Sequence, residues 1–395
     1  GERVRLIIVF IKPDSPMNDA TNRDDWKCRL LPFRCWIGDL KKPDILRADL
    51  IAGITVALVL VPQSMAYAQL AGLPAYYGLY ASFLPGIVAA LFGSSRQLAT
   101  GPVAVVSLMT ASALEPIAHG NAELYIAYAV MLAFMVGIFQ MALGLLRLGV
   151  LVNFLSHPVV VGFTNAAAII IGTSQLGKLF GVSVEKADHT YETVFNTVVE
   201  AFHSTHLETM LMALLALGIM IGLKRYLPKV PNVLTAVAIT TVISWSIGFE
   251  AMGGHVVGSI PAGLPALSMP TLDFQVMVQL LSVTVTIAII GFMEAISIAK
   301  AMATRTRQRL DANQELVGQG LANIASSFSQ GYAVSGSFSR SAVNIGAGAR
   351  TGFSAVVTGV VVGVTLLALT PLLYHLPQAT LAAVIIMAVI NLVKV

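Results

Sequence analysis

The chain contains 395 residues, of which 56% are hydrophobic and only 11% are charged, and its formal net charge is +4. A soluble domain carries about 25% charged residues, so this composition excludes a soluble enzyme and a soluble binding domain. The chain is predicted to be an all-α polytopic membrane protein that is surrounded by the lipid bilayer and has no nucleic-acid partner.

The first 49 residues differ from the rest of the chain in their charge. They hold 10 Lys and Arg and 8 Asp and Glu residues, which leaves 14 and 12 for the other 346. Residues 1–49 are therefore predicted to form an aqueous arm. Residues 1–16, which precede Met17, are interpreted either as a foreign remnant or as upstream sequence.

Twelve segments are predicted to span the membrane, at about 20 residues each. They are 50–68, 74–93, 99–114, 122–146, 158–176, 207–226, 232–248, 281–301, 312–327, 336–347, 353–373 and 378–394. The first seven form a predicted repeat at 50–248, and 249–280 is interpreted as an extracellular connection. Residues 281–395 form a second repeat, and its last two helices are expected to be absent from this chain.

The placement of Lys and Arg tests this topology, because these residues concentrate in short cytoplasmic loops. With the amino terminus inside, eleven lie on the cytoplasmic side: Arg96, Arg147, Lys224, Arg225, Lys229, Lys300, Arg305, Arg307, Arg309, Arg350 and Lys394. Only Lys178 and Lys186 lie outside, whereas Asp311 and Glu315 are the acidic residues assigned to the inside. We therefore expect the amino terminus to be cytoplasmic, in a plasma or inner membrane.

The first predicted span contains a proline followed by two polar side chains. Pro62 is expected to break the helix, and Gln63 and Tyr67, four residues apart, share one helical face. An amide and a phenol can donate hydrogen bonds to an oxyanion without adding charge. The alternative interpretation is hydrogen bonding between helices, which is a common use of Gln in membranes.

Residues 96–108, RQLATGPVAVVSL, are predicted to run from an extended segment through a turn into a helix. Pro102 suits the first turn of that helix. A helix that begins inside the membrane presents free N–H groups and the positive end of its dipole to an anion.

Glu294 lies in TIAIIGFMEAISIAKAM, at mid-depth in an otherwise apolar span. An intramembrane carboxyl is by default a functional candidate. Glu294 is interpreted, in order of preference, as a proton carrier, as a permanent ion-pair partner of Arg340, or as a sodium ligand.

Residues 330–350, QGYAVSGSFSRSAVNIGAGAR, repeat the design of residues 96–108, with a turn at Gly336 and a helix that begins near Phe338. Gly101 and Gly336 are 235 residues apart, about one half of a transporter. Two broken helices at corresponding positions of two halves indicate a binding site at the membrane midplane. The alternative is a pair of kinked packing helices.

Arg340 favours the binding site over the kinked helices. An arginine at the centre of a membrane helix costs about 2.5–3.5 kcal/mol on insertion scales. Arg340 is therefore expected to face the protein interior or a water-filled cavity, where its partner would be an anion.

Several runs closely resemble the sulfate permease (SulP) family of anion transporters. They are PQSMAYAQLAGLPAYYGLYASFLPG with GSSRQLATGPVAV, then GFMEAISIAKAMA, NQELVGQGLANIASSF and SGSFSRSAVNIGAGART. The resemblance covers residues 50–395. It implies an inverted repeat of seven plus seven helices whose core domain moves against a gate domain. It also implies a homodimer and a cytoplasmic STAS domain, which is expected to be absent from this chain.

The resemblance also implies roles for individual residues. The expected anion-binding residues are Gln63, Tyr67, Thr100, Gly101, Val103, Ala104, Ser337, Phe338, Ser339 and Arg340. Glu294 matches the family's coupling carboxylate. Sodium-coupled relatives have Asp there and a hydroxyl residue one turn later, where this chain has Ile298, so the resemblance favours protons.

Together these observations predict a secondary active transporter that moves a small anion inward with protons, through an elevator-like shift of its core helices. Sulfate, bicarbonate and dicarboxylates all suit the expected site. The alternatives are an anion exchanger, a channel and a sodium-coupled bicarbonate transporter that use the same site. No span offers a nucleophile with a base and an orienting partner, so no enzyme, cofactor or metal is expected.

Overall fold

The structure, a computed structural model, describes residues 31–149, 157–184 and 190–390, and most of them are helical. The predictions made for residues 1–16, Lys186 and Lys394 fall outside these ranges. The first half contains α1 (Arg34–Ile37), α2 (Pro43–Leu70), α3 (Tyr76–Phe92), β1 (Ala99–Gly101), α4 (Ala104–Ala118), α5 (Ala122–Leu145), α6 (His157–Ser174), α7 (Leu176–Phe180), α8 (Thr190–Ser204), α9 (Leu207–Tyr226) and α10 (Asn232–Ile247).

The second half contains α11 (Phe274–Thr306), α12 (Ala312–Phe328), β2 (Ser335–Ser337), α13 (Phe338–Gly346), α14 (Phe353–Val364) and α15 (Gln378–Ile390). Helix α14 continues through one π turn and one 3-10 turn to Leu373. Every one of the twelve predicted spans coincides with a helix, so the helical prediction is confirmed. By length and composition, five helices of the described chain could cross a membrane: Pro43–Leu70, Ala122–Leu145, Leu207–Tyr226, Phe274–Thr306 and Phe353–Leu373.

Helix α12 forms although its sequence is among the more polar of the predicted spans. It packs against α3 and α5, and small residues allow the close approach. A Cβ atom added to Gly137 of α5 would lie 2.7 Å from the carbonyl oxygen of Gly320 on α12. Contacts of this kind between small residues bring helix backbones together in membranes. Packing and polar partners therefore stabilise α12 where its hydropathy does not.

Helix α2 is continuous through Pro62, so the expected break is wrong. Proline has no N–H to donate to the carbonyl of Leu58, and a proline inside a helix costs about 3 kcal/mol or more. Helix α2 packs against α3, α13, α14 and α15, and this tertiary packing keeps it helical on both sides of the proline. Gln63 and Tyr67 therefore belong to one regular helix.

The two predicted extended segments cross each other as an antiparallel pair of strands. In this pair Ala99 lies opposite Ser337, Thr100 opposite Gly336 and Gly101 opposite Ser335. Helix α13 begins at Phe338, as predicted. Helix α4 begins at Ala104, so Pro102 precedes the helix and its expected place in the first turn is wrong.

The reason lies in the residue between Pro102 and the helix. Val103 is extended, with φ −136° and ψ 150°, and acts as the N-cap of α4. Strand pairing as far as Gly101 thus delays the start of the helix. Both helices begin within three residues of the strand pair, so both positive helix ends lie at the crossing.

We predict that Gly336→Ala destabilises the strand crossing. A Cβ atom there would lie 2.8 Å from Leu98 Cδ1 and 3.1 Å from Ala295 Cα, and overpacking of this kind costs about 1–3 kcal/mol. The thermal melting temperature of the purified protein should fall.

Gly218→Ala is the matched control, because no atom lies within 4 Å of the added carbon in the middle of α9. Alanine also has the higher helix propensity, by about 1 kcal/mol, so this variant should melt at or slightly above the wild-type temperature. Equal melting of the two variants would contradict the close packing at Gly336.

Candidate functional site

Arg340 joins three parts of the chain at the strand crossing. Its side chain is fully buried, with 0% of its surface exposed. Nη1 donates to Gln63 Oε1 at 2.9 Å, and Nη2 donates to the Pro102 carbonyl oxygen at 2.8 Å. The guanidinium therefore connects α13 to α2 and to the segment between β1 and α4, in the protein interior where the sequence predicts it.

Arg340 carries a further side-chain donor at Nε. Within the described residues, its buried Nε has no hydrogen-bond acceptor, and both Nη atoms donate to neutral oxygens. A buried donor without an acceptor costs about 1–3 kcal/mol, and more when it is charged. Hydrogen bonds from a guanidinium to an anion are short and strong, so an anion beside Nε would satisfy this donor.

The starts of the two helices add further donors at the crossing. Val103, the N-cap of α4, offers no side-chain oxygen to the first N–H groups of that helix. The N-cap of α13 is Ser337, whose Oγ accepts from the Arg340 backbone N at 3.5 Å. Val103 and Ala104 are both buried, so the uncapped start of α4 lies inside the protein. Such a helix end attracts negative charge.

Gln63 and Tyr67 supply the wall of the site on α2, and both are buried. Arginine can only donate, so the Gln63 atom that faces it is the acceptor Oε1, and Nε2 remains a donor. The Tyr67 phenol interacts with Gln63 and electrostatically with Arg340. Gly101 of β1 also borders the guanidinium, because a Cβ atom added there would lie 3.4 Å from Arg340 Nη2.

The remaining expected residues take different positions. Phe338 is 57% exposed and Ser339 is also exposed, so they lie at the open edge of the cluster. Ser339 Oγ lies 3.3 Å from Ser337 Oγ. The Thr100 hydroxyl accepts from Gln319 Nε2 at 2.9 Å and is thereby engaged with α12.

Glu294 lies beside the strand crossing on α11. Its neighbours in the helix contact β2: the Gly291 carbonyl accepts from Ser335 Oγ at 2.6 Å, and Ala295 packs against Gly336. Glu294 is half-buried and interacts electrostatically with Arg340. Within the described residues, no three His, Cys, Asp or Glu side chains group together as a metal site would require.

A second carboxyl, which the charge pattern assigned to the cytoplasmic side, is a buried part of the core. Glu315 is 1% exposed. Its Oε2 accepts from the backbone N atoms of Ser94 and Ser95 at 2.9 and 2.8 Å, and its Oε1 accepts from Gln319 Nε2 at 3.2 Å. Glu315, in the first turn of α12, is therefore a buried and hydrogen-bonded carboxyl rather than a solvated one.

Glu315 begins a row of polar side chains on α12 that sequence reasoning missed. Glu315, Gln319 and Asn323 are spaced by four residues, share one face and are buried. Asn323 accepts from the Val334 backbone N at 2.8 Å and donates to the Val334 carbonyl at 3.1 Å. The four-residue spacing is the signal that could have identified this row.

A family model described as the sulfate permease family matches residues 46–395. The chain is 42% identical over 377 residues to the chloroplastic sulfate transporter 4.1 of Arabidopsis thaliana, a match that covers 93% of this chain and 54% of that protein. This chain thus spans about half the length of that relative.

Two solved structures are similar in fold. The structure of SLC26A9 matches with a TM-score of 0.88 at 24% identity, over 100% of this chain and 66% of that one. The transmembrane domain of the cyanobacterial bicarbonate transporter BicA matches with a TM-score of 0.79 at 27% identity, over 88% and 89% of the two chains. The predicted inverted-repeat membrane fold is thereby confirmed.

We predict that Glu315→Ala lowers the melting temperature strongly. The substitution leaves the Ser94 and Ser95 N–H groups without their acceptor, and each buried unsatisfied group costs about 1–3 kcal/mol. Glu315→Gln should be milder, because its amide oxygen can still accept.

Glu200→Ala is the control for this series, since it removes an exposed carboxyl from α8. It should melt like the wild-type protein. The structural role of Glu315 would be refuted if Glu315→Ala melted at the same temperature as Glu200→Ala.

Proposed function

Because this chain belongs to the sulfate permease family, we propose that it is a secondary active transporter that carries a small anion across a membrane. Sulfate is the substrate that the name of the Arabidopsis relative supports. Bicarbonate, which the name of BicA supports, and dicarboxylates offer similar acceptor oxygens. The family consists of transporters, not enzymes.

The observation that carries this proposal is the unsatisfied Nε of Arg340 at the strand crossing. It is a buried cationic donor, and the start of α4 is a second source of donors beside it. Gln63 Nε2 and the Tyr67 hydroxyl add uncharged donors. Neutral donors around one arginine favour an anion over a cation, and no group there forms a covalent bond to it.

Access to this site is proposed to be from the side of Phe338 and Ser339, which are exposed. Every other proposed ligand residue is buried. The anion therefore approaches the arginine along one open edge. Alternating access then requires this edge to face each side of the membrane in turn.

The proposed movement is an elevator-like shift of the core helices. Helix α12 packs tightly against α3 and α5, and its Gln319 holds β1 through Thr100. These elements move as one unit. Helices α2 and α4 belong to this unit, since they contact α3 and α5 respectively. The unit slides along α6, α10 and α15, which contact α2 or α4. A cytoplasmic amino terminus, which the placement of Lys and Arg predicts, and a homodimer, which the resemblance implies, belong to the same proposal.

We further propose that Glu294 couples transport to protons. Its negative charge near Arg340 opposes the incoming anion, and protonation removes that charge. A permanent ion pair is less well supported, because the Nη atoms of Arg340 bond to Gln63 and Pro102. A sodium site is also less well supported, because the buried Ile298 one turn later has no side-chain oxygen.

Arg340→Ala is predicted to reduce sulfate uptake into proteoliposomes by about 100-fold or more, since two to three charge-assisted hydrogen bonds are lost. Arg340→Lys should recover only part of the uptake, because lysine lacks the planar fork of donors. Arg225→Ala, in the last turn of α9, removes a positive charge away from the site and should transport normally. Near-normal uptake by a folded Arg340→Ala protein would refute the proposed site.

Glu294→Gln is predicted to retain sulfate affinity and to lose the stimulation of uptake by an inward proton gradient. The glutamine imitates the protonated carboxyl, and anion and proton affinities are reciprocally linked. Its melting temperature should stay close to that of the wild-type protein, because Arg340 keeps its two bonds to neutral oxygens.

The alternatives to proton coupling are separated by three measurements on one Glu294→Gln preparation: the melting temperature, the current, and the accumulation driven by the proton gradient. A permanent ion pair with Arg340 predicts poor folding of Glu294→Gln, and a channel predicts currents that the substitution leaves unchanged. Glu123→Gln, at the exposed start of α5, is the matched control. Accumulation that still follows the proton gradient in a stable Glu294→Gln protein would exclude Glu294 as the coupling residue.

A further inference from the structure

A second, strongly basic cavity lies apart from the arginine at the strand crossing. Its volume is about 730 Å³. It is bounded by the end of α11 and the loop that follows, by the segment before β1, and by the segment after α13. Five arginines from these three segments line it: Arg96, Arg305, Arg307, Arg309 and Arg350.

The charge of this cavity is only partly balanced. Among the described residues that line it, Asp39 is the one acidic side chain, and its Oδ2 lies 3.7 Å from Arg96 Nη1. Among the lining side chains, five guanidinium groups and one carboxylate leave a charge of +4, and the buried Asp49, which accepts from the Arg350 and Thr351 backbone N atoms, lies behind this wall. Such a concentration of one sign focuses the field and attracts ions of the opposite sign.

The cavity is distinct from the candidate transport site but attached to the same elements. Arg340 is the third of the nine residues of α13, so the far end of that helix lies about 9 Å further along its axis at 1.5 Å per residue. At that end the Gln97 carbonyl accepts from Asn344 Nδ2 at 3.1 Å, and Gln97 Nε2 donates to the Arg350 carbonyl at 3.3 Å. A ligand in the cavity would therefore contact the segments that lead into β1 and out of α13.

The backbone on the cavity wall also adopts an uncommon conformation. Arg307 ends α11 in the left-handed region, with φ 54°, where residues other than glycine are uncommon. This conformation lets the chain turn sharply, so that Arg305, Arg307 and Arg309 all line one cavity. Gln308 secures the turn, because its Nε2 donates to the Ser94 carbonyl at 3.0 Å.

The chemistry of the ligand follows from the size and the charge of the cavity. Cavities of about 300–1,000 Å³ accommodate organic ligands, and a single oxyanion such as sulfate would leave most of this space unfilled. Arginine forks bind phosphate through paired hydrogen bonds. We propose that the cavity binds a multiply phosphorylated anion, supplied by a lipid headgroup or by a soluble polyphosphate.

The location admits both sources. The arginines lie at the end of α11 that the charge pattern predicts to be cytoplasmic, and clusters of four to eight basic residues beside a membrane helix are typical of binding to phosphorylated lipids. The cavity is also open to solvent, because the side chains of Arg305, Arg307 and Arg309 are exposed. A soluble polyphosphate can reach the same guanidinium groups.

The test measures binding to the full chain at fixed ionic strength. Inorganic tripolyphosphate is titrated into the protein in detergent, and phosphatidylinositol 4-phosphate is supplied separately in phosphatidylcholine nanodiscs. The triple variant Arg305→Gln/Arg309→Gln/Arg350→Gln should bind about tenfold more weakly or worse, the loss expected from at least one charge-assisted hydrogen bond. Arg307 is left unchanged because of its left-handed backbone.

The control removes three charges from the last turn of α9 and the loop that follows it, as Lys224→Gln/Arg225→Gln/Lys229→Gln, and should change the Kd by less than about twofold. Asp39→Asn should tighten binding, a gain that a folding defect cannot imitate. If the arginine variant weakens the binding of one probe only, that probe identifies the source, and if it weakens the binding of both, both sources fit. Each of these results supports the proposal. The proposal is overturned if neither probe binds, if the two triple variants weaken binding equally, or if sulfate binds the cavity as tightly as tripolyphosphate.

Discussion

The buried guanidinium of Arg340 is the constraint on which the centre of this membrane domain depends. A charge in this position is tolerated only if protein oxygens or a bound anion replace water. Gln63 and the Pro102 carbonyl supply two acceptors and leave Nε without one among the described residues. Helix α2, the segment before α4 and helix α13 must therefore keep their relative positions for the arginine to stay buried.

That geometry requires non-helical backbone at the depth of the membrane, where each polar group needs a protein partner. The two short strands satisfy part of each other's backbone N–H and C=O groups through their antiparallel pairing. The Ala99 backbone N donates to Ser341 Oγ at 2.9 Å, and Asn323 pairs with both polar backbone groups of Val334. A helix as polar as α12 is present because the irregular segments on either side of it need these side chains.

The sequence predicted the features that depend on local pattern, and it missed those that depend on partners distant in the chain. The spans followed from apolar length, and the burial of Arg340 followed from the cost of a charge in lipid. Pro62 stays within a helix because packing from four other helices outweighs a local penalty. The burial of Glu315 was hidden because its partners, Ser94 and Ser95, lie 221 and 220 residues away. The hydrogen bond from Gln319 on α12 to the Thr100 hydroxyl was hidden for the same reason, because the two residues are 219 positions apart.

Two carboxyls flank the strand pair, and their surroundings suit them to different tasks. Both oxygens of Glu315 accept hydrogen bonds from fixed donors, two of which belong to the backbone that leads into β1. These hydrogen bonds tie Glu315 to the segment that leads into β1, so its role is to hold that segment. Glu294 is half-buried on the turn of α11 that contacts β2, and it interacts with Arg340 through its charge. A proton on Glu294 changes the electrostatic field at the arginine while Gln63 and Pro102 still hold the guanidinium in place. For this reason we propose that coupling belongs to Glu294, the carboxyl whose charge can change while the arginine stays in place.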